Sequence, residues 1–325
     1  MSERTTARGV PVDGGLPGWR RAVGGGAFAL FWGWLVVRWI HDWFIVPNPA
    51  GDRTPFVPVG PFDAANEALL SLADSLGVLG VPFDWLAGVF AFAAGAIPSL
   101  PALAQGAWLT VVLTVVSIAL GFVLAVPLSV ARVYGGLGLR WVALSFTELI
   151  RGTPLLAQLF VLYYGTNLTV FIRNVPGVGM GMVPDQAVWV AIIGFTINSA
   201  AYQAEYIRSA LTSVHSGQLT AARAIGLGKV EGIRYVVLPQ ALRYAIPGWS
   251  NELIYLIKYS SLATFITVGE LFNQTESIAN DTYRYTELFV TAGLFYLALV
   301  LSASLVMNTV EDWTAIPGIG QSGER

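Results

Sequence analysis

Apolar residues in this chain run in long blocks separated by short polar segments, with neither strand alternation nor a single amphipathic stripe. Leu109 to Val130 and Leu288 to Met307 are free of charge, and each is long enough as a helix to cross about 30 Å of hydrocarbon. Leu155 to Ile172 and Ala187 to Gln203 are shorter and equally uncharged. Ile246 to Ile266 is apolar apart from Asn251, Glu252 and Lys258, and Val23 to Ile40 is a sixth block, diluted by Gly24 to Gly26 and Arg38. Trp85 to Leu100 is apolar but short and ends in Pro98-Ser99-Leu100-Pro101. The pattern predicts an all-α integral membrane protein with six spanning helices and a shorter outer-face or re-entrant helix.

Arginine and lysine set the orientation, because short cytoplasmic loops carry the excess of both. The leader before the first span holds Arg4, Arg8, Arg20 and Arg21. Arg132 and Arg140 follow two spans later, and Arg208, Arg223, Lys229 and Arg234 two spans after that. The alternate connections are acidic, with Asp52, Asp63, Glu67, Asp74 and Asp84, then Glu270, Glu276 and Asp281. Six spans with both ends inside satisfy this alternation. The expected organisation is a cytoplasmic leader at 1–21, an extra span with an outer segment at 22–105, a transmembrane domain at 106–310 with a cytoplasmic loop at 209–245, and a tail at 311–325. The leader has no small-residue cleavage site, so the first span is expected to stay attached.

Only 12% of the 325 residues are charged, against about 25% in ordinary soluble domains, and the mean hydropathy is +0.63. There is no cysteine, so disulfide and thiolate chemistry are excluded. Gly228-Lys229 is followed by Val230, so no phosphate-binding loop of the G-x-x-x-x-G-K-[ST] kind is present. His41 and His215 stand far apart without metal-site spacing, no nucleophile elbow occurs, and no basic stripe points to nucleic acid. The chain is therefore not expected to be an enzyme or to hold a cofactor or metal.

Two kinds of polar position remain. Asn198, Tyr202 and Glu205 fall at i, i+4 and i+7 and share one helix face, and Asn251, Tyr255 and Lys258 repeat that spacing on the next span. Gln158 lies one turn past Pro154. Polar groups inside a membrane face a cavity or a partner, so Gln158, Asn198, Tyr202, Glu205, Asn251 and Lys258 are candidates for a substrate pathway. The bland alternative is hydrogen bonding between helices, with Glu205 paired to Arg208 at the membrane edge. Glu148 and Arg151, at i and i+3, read as an ion pair closing the start of the helix that contains Pro154.

The second kind is the stretch from Gln218 to Leu242, QLTAARAIGLGKVEGIRYVVLPQAL, which reads as two short helices broken at Gly226-Leu227-Gly228 and ended by Leu238-Pro239. A long, basic, structured loop of this kind suits docking of a soluble partner. Its spacing resembles the cytoplasmic loop of ABC importer permeases, with Thr220 where that family carries glutamate. GAWLTVVLTVVSIALGFVLAVPLSVARV, ELIRGTPLLAQLFVLYYG, SAAYQAEYIRSAL and KYSSLATFITVGEL resemble segments of the polar amino-acid group of these permeases, from about Gly106 to Met307.

The resemblance implies the type I ABC importer permease fold, with five core transmembrane helices plus one N-terminal helix, in a cell membrane. It implies a second permease copy or paralogue, separate ABC ATPase subunits, an extracytoplasmic solute-binding protein and an amino-acid substrate. Thr220, Ala221, Ala222, Gly226, Leu227 and Gly228 would contact the ATPase. Methionine, a quaternary-ammonium osmolyte, a passive channel or a membrane scaffold are the competing readings.

Overall fold

The structure, a computed structural model, describes residues 18–45, 54–180 and 183–314. Most of the expected leader (1–17) and the last part of the tail (315–325) lie outside the described residues. The described residues form helices and their connections, without a strand. Helix α1 (Gly18–Ile40) is followed by a hairpin of α2 (Gly60–Leu76) and α3 (Val81–Ala96). One 3₁₀ turn, Ile97–Ser99, then leads directly into α4 (Leu100–Tyr134). Trp85 to Leu100 thus falls on α3 and the 3₁₀ turn that leads into α4, and α3 packs on α2.

Helices α5 (Leu137–Arg151), α6 (Leu155–Tyr164) and α7 (Leu168–Arg173) come next, then the long α8 (Gln186–Ser213). Short helices α9 (Gly217–Ala224) and α10 (Lys229–Gly232) form the loop. Helices α11 (Leu238–Tyr259), α12 (Leu271–Thr282) and α13 (Tyr285–Thr314) complete the chain. The run Gly60–Tyr134, α8 and α13 are long and apolar enough to cross a membrane by length and composition. The other three expected spans are helical but interrupted or more polar.

Three expectations change. Leu155 to Ile172 is not one helix: α5 ends at Arg151, Pro154 takes an extended conformation before α6, and Gly165 stops α6. Pro154 lacks an N–H, and proline disfavours a helical residue before it, so the chain breaks at Gly152-Thr153 instead of crossing straight. Glu148 and Arg151 accordingly close the end of α5 rather than the start of a later helix. Second, Leu238-Pro239 does not end the loop helix. A π-helical turn, Ile233–Val237, joins α10 to α11, and its wider ladder accommodates the proline, which sits in the first turn of α11. Third, Ile246 to Ile266 leaves α-helix at Tyr259 and tightens into 3₁₀ turns through Ile266, ended by Thr267 in the left-handed region (φ 68°).

Helices α4 and α8 make the most extensive contact in the bundle. Small residues permit it. A Cβ added at Gly121 would stand 2.8 Å from Gln203 Nε2 and 3.2 Å from the Ala200 nitrogen, and Ala200, Ala201 and Ala204 of α8 are fully buried. Association by close backbone approach is what packing in lipid favours, since lipid removes the hydrophobic drive between helices. One apolar cluster joins Leu113, Leu159, Phe195 and Ile266, and another joins Ala125, Ile207, Leu211 and Val237 on the loop side. Helix α1 leans on α4 and α13 through Leu35, Leu103 and Phe295, and its Trp39 donates to the Ala104 carbonyl at 2.7 Å.

Candidate functional site

Helix α8 is the spine of the site. Asp185 starts it by accepting from the Ala187 and Val188 N–H groups at 2.9 and 3.2 Å, which satisfies two otherwise unpaired donors of the first turn. The face carrying Asn198, Tyr202 and Glu205 turns toward α5 and the break before α6.

At the loop end of that face, Glu205 gathers three arginines. Arg132 of α4 donates at 2.6 Å and Arg208 at 2.6 Å, and Arg151 of α5 stands at 3.6 Å. Glu148 joins from α5, 3.8 Å from both Arg132 and Arg151. Arg132 also donates to Thr147 Oγ1 at 3.1 Å. Glu205 is therefore a cross-link between three helices, which goes well beyond the expected Glu205–Arg208 pair. Two carboxylates face three guanidinium groups, so the cluster keeps a positive excess. The Arg151 guanidinium lies over the Tyr202 ring at 5.5 Å, and its buried Nε has no partner among the described residues.

One turn deeper, Gln158 fills the break between α5 and α6. Its amide N–H₂ donates to the carbonyls of Ile150 (2.7 Å) and Thr153 (3.1 Å), and its carbonyl accepts from Asn198 Nδ2 at 3.1 Å. Pro154 cannot continue the helical ladder, so carbonyls at the end of α5 are left open, and Gln158 supplies the missing donors. Asn198 is buried and spends its side chain on this bond. The two pathway candidates thus meet each other and brace the kinked helix.

The second candidate face behaves differently. Asn251, Tyr255 and Lys258 are exposed, with Lys258 Nζ 6.0 Å from the Tyr255 ring and Tyr255 stacked on Tyr259 at 5.9 Å. This strip of amide, phenol and ammonium is open to a ligand or a second subunit. Two carboxylates that the helical spacing gives no role are buried. Glu252 of α11 is one of them. Glu270, fully buried, caps α12 by accepting from the Phe272 and Asn273 N–H groups and from Tyr296, each at 2.9 Å. Glu270 directly follows Val268-Gly269, and glutamate is not among the residues that usually announce an N-cap. Glu252 is marked only as a carboxylate inside an otherwise apolar block.

The loop is compact. Ala222 is buried, and a Cβ on Gly232 would fall 3.4 Å from the Ala222 Cβ and 2.8 Å from Leu219 Cδ1. Ala222 therefore makes its close approach inside the loop, where α9 crosses α10. Gly226 has φ 96° with open space around it, so it turns the chain in a conformation that L side chains resist. Gly228 N–H donates to Glu231 Oε2 at 2.8 Å, and Lys229 Nζ donates to the Tyr134 carbonyl at 2.9 Å, tying the loop to the end of α4. Thr220, Ala221, Gly226 and Gly228 are exposed and Leu227 is half-buried. Ile225 and Val230 are 80% and 75% exposed, an apolar pair flanked by Arg223 and Arg234.

A family model described as the inner membrane component of binding-protein-dependent transport systems matches residues 117–315. The octopine transport system permease protein OccM of Rhizobium meliloti is 37% identical over 219 residues, covering 66% of this chain and 86% of that relative. The glutamine transport system permease protein GlnP of Escherichia coli K12 is 35% identical over 229 residues, covering 70% and 96%. Among solved structures, an amino acid ABC transporter with histidines superposes with a TM-score of 0.56 at 31% identity, covering 66% of this chain and 94% of its own. The inward-facing methionine transporter MetNI gives 0.57 at 22% identity, a likeness of fold alone. Helices α1 to α3 and the first half of α4 lie outside the family match. With the type I ABC permease fold, and with relatives named as permeases for amino acids and opines, the chain belongs to the family of binding-protein-dependent transport system inner membrane components.

Proposed function

We propose that the chain is the membrane-spanning subunit of an ATP-driven importer that moves a polar amino acid into the cell. Its partners are a second permease copy or paralogue, separate ABC ATPase subunits on the loop side and an external solute-binding protein. The reading of the substrate rests on relatives named for glutamine, arginine and octopine. The reading of the coupling rests on the loop.

The observation that carries it is the pairing of rigidity and exposure between α8 and α11. Ala222 against Gly232 holds the loop together, and Lys229 on Tyr134 fixes it to the bundle. Thr220, Ala221, Ile225, Gly226 and Gly228 remain exposed. An apolar Ile225 beside Arg223 on a braced helix suits a groove in a soluble ATPase, because a rigid dock transmits a domain movement instead of absorbing it. Closure of two ATPases would shift α9, and through α10 and the π turn it would tilt α11. Asn251, Tyr255 and Lys258 on α11 would line the path, with Lys258 meeting a substrate carboxylate. Asn198, Tyr202 and Gln158 would border the same path from the other side, held by the Glu205 cluster.

The test is ATP-dependent uptake of labelled glutamine, glutamate and arginine by vesicles holding this chain with its ATPase and binding protein. Uptake that continues without ATP would favour a passive channel. Uptake of methionine or betaine alone would replace the substrate assignment.

A further inference from the structure

A groove of about 540 Å³ opens between α4, α11 and α13 on the loop side of the bundle. Ile118, Ala119, Phe122, Leu253 and Met307 line its walls, Gln203 forms part of the floor, and Arg243 and Thr314 stand at its loop-side end. Trp249 lies along one wall with its ring edge-on to Phe122 at 4.5 Å. Trp249 Nε1 and Gln203 Oε1 have no partner among the described residues, but both atoms are buried behind the groove's apolar walls. Gln203 is fully buried, and its amide nitrogen is already used on the Ile118 carbonyl and the Ser199 hydroxyl. Arg243 is exposed and makes no ion pair among the described residues. Glu311, at the same end, is occupied by the Ser250 hydroxyl.

We propose that this groove holds one anionic phospholipid of the loop-side leaflet, with its phosphate at Arg243 and one acyl chain along Ile118, Phe122, Leu253 and Met307. The order of groups along the groove matches the order of layers in a leaflet. Arg243 lies six residues before Trp249 on α11, so the cation sits nearly two helical turns closer to the loop than the indole. A phosphate at Arg243 places the ester layer beside the Trp249 ring. Beyond it the walls are wholly apolar. A basic group between helices at a membrane face, followed by an indole at headgroup depth, is the chemistry that selects lipid over a soluble anion. The site touches α4, α11 and α13 together, so an occupying lipid would bear on the helix that the loop is proposed to tilt.

Native mass spectrometry of the purified full chain, titrated with phosphatidylglycerol or phosphatidylcholine, tests this. One phosphatidylglycerol per chain is expected, about fivefold preferred over phosphatidylcholine, the worth of one cation near a membrane surface. Arg243→Gln should abolish the preference and keep the phosphatidylcholine adduct. Ala119→Trp, which fills the groove from an exposed position, should reduce both adducts. Millimolar glycerol 3-phosphate should displace neither. An unchanged preference in Arg243→Gln, full lipid binding in Ala119→Trp, displacement by glycerol 3-phosphate, or a dimer of chains free of lipid would each overturn the assignment.

Discussion

Arg132 on α4 and Glu205 on α8 meet at 2.6 Å, and the same carboxylate holds Arg208 and lies 3.6 Å from Arg151. One glutamate thereby joins three helices at the membrane face that carries the loop. Removing the charge leaves three guanidinium groups without their shared partner. Glu205→Gln is expected to cost about 1–3 kcal/mol, seen as a lower melting temperature in detergent. Glu205→Asp should recover part of it. A Glu205→Gln protein that melts like the parent but transports poorly would move Glu205 from bracing to substrate contact.

Gln158 and Asn198 share one hydrogen bond across the kink. Gln158→Leu should destabilise more than Asn198→Leu, because it also frees the Ile150 and Thr153 carbonyls. The two should couple by about 0.5–3 kcal/mol in a double-mutant cycle of unfolding. Additive losses would mean that the bond contributes nothing. Asn198→Leu is further expected to abolish uptake while basal ATP hydrolysis by the partner persists.

The absence of cysteine makes topology accessible to single-cysteine labelling. A cysteine at position 225 should react with a membrane-impermeant reagent only after the cells are opened. A cysteine at the exposed position 283 should react in intact cells. Labelling of 225 from outside would invert the orientation that the arginine distribution predicts.

Much of this arrangement is legible in the sequence, and the parts that are not have physical reasons. The uncharged blocks locate α4, α8 and α13, because a hydrocarbon-spanning helix must be apolar over its whole length. The glycine at 226 marks its turn, since a left-handed residue between two helices selects glycine. The same blocks mislead at Leu155 to Ile172, where hydropathy is blind to the break at Pro154 and to the repair by Gln158 eight residues after Ile150. Periodicity put Asn198, Tyr202 and Glu205 on one face but could not name what they face. Arg132 and Arg151 are distant in sequence and come to Glu205 only through tertiary packing. Ala222 shows the limit at single-residue scale: a small residue marks close approach, but only the fold shows that its neighbour is Gly232.

Gly226 concentrates the central claim, that this loop couples the bundle to ATP hydrolysis. Its φ of 96° and open surroundings mean that Gly226→Pro distorts the turn without touching the bundle, whereas Ala222→Asp would also break the packing of α9 on α10. Thr220→Glu, at an exposed position, should behave as the parent. The most direct measurement is ATP-driven uptake of labelled amino acid, with ATP hydrolysis followed in parallel, in vesicles carrying the Gly226→Pro permease with its ATPase and binding protein. Uptake falling to background while the protein remains folded and inserted is the predicted result. Uptake still coupled to hydrolysis at the parent rate would contradict the account.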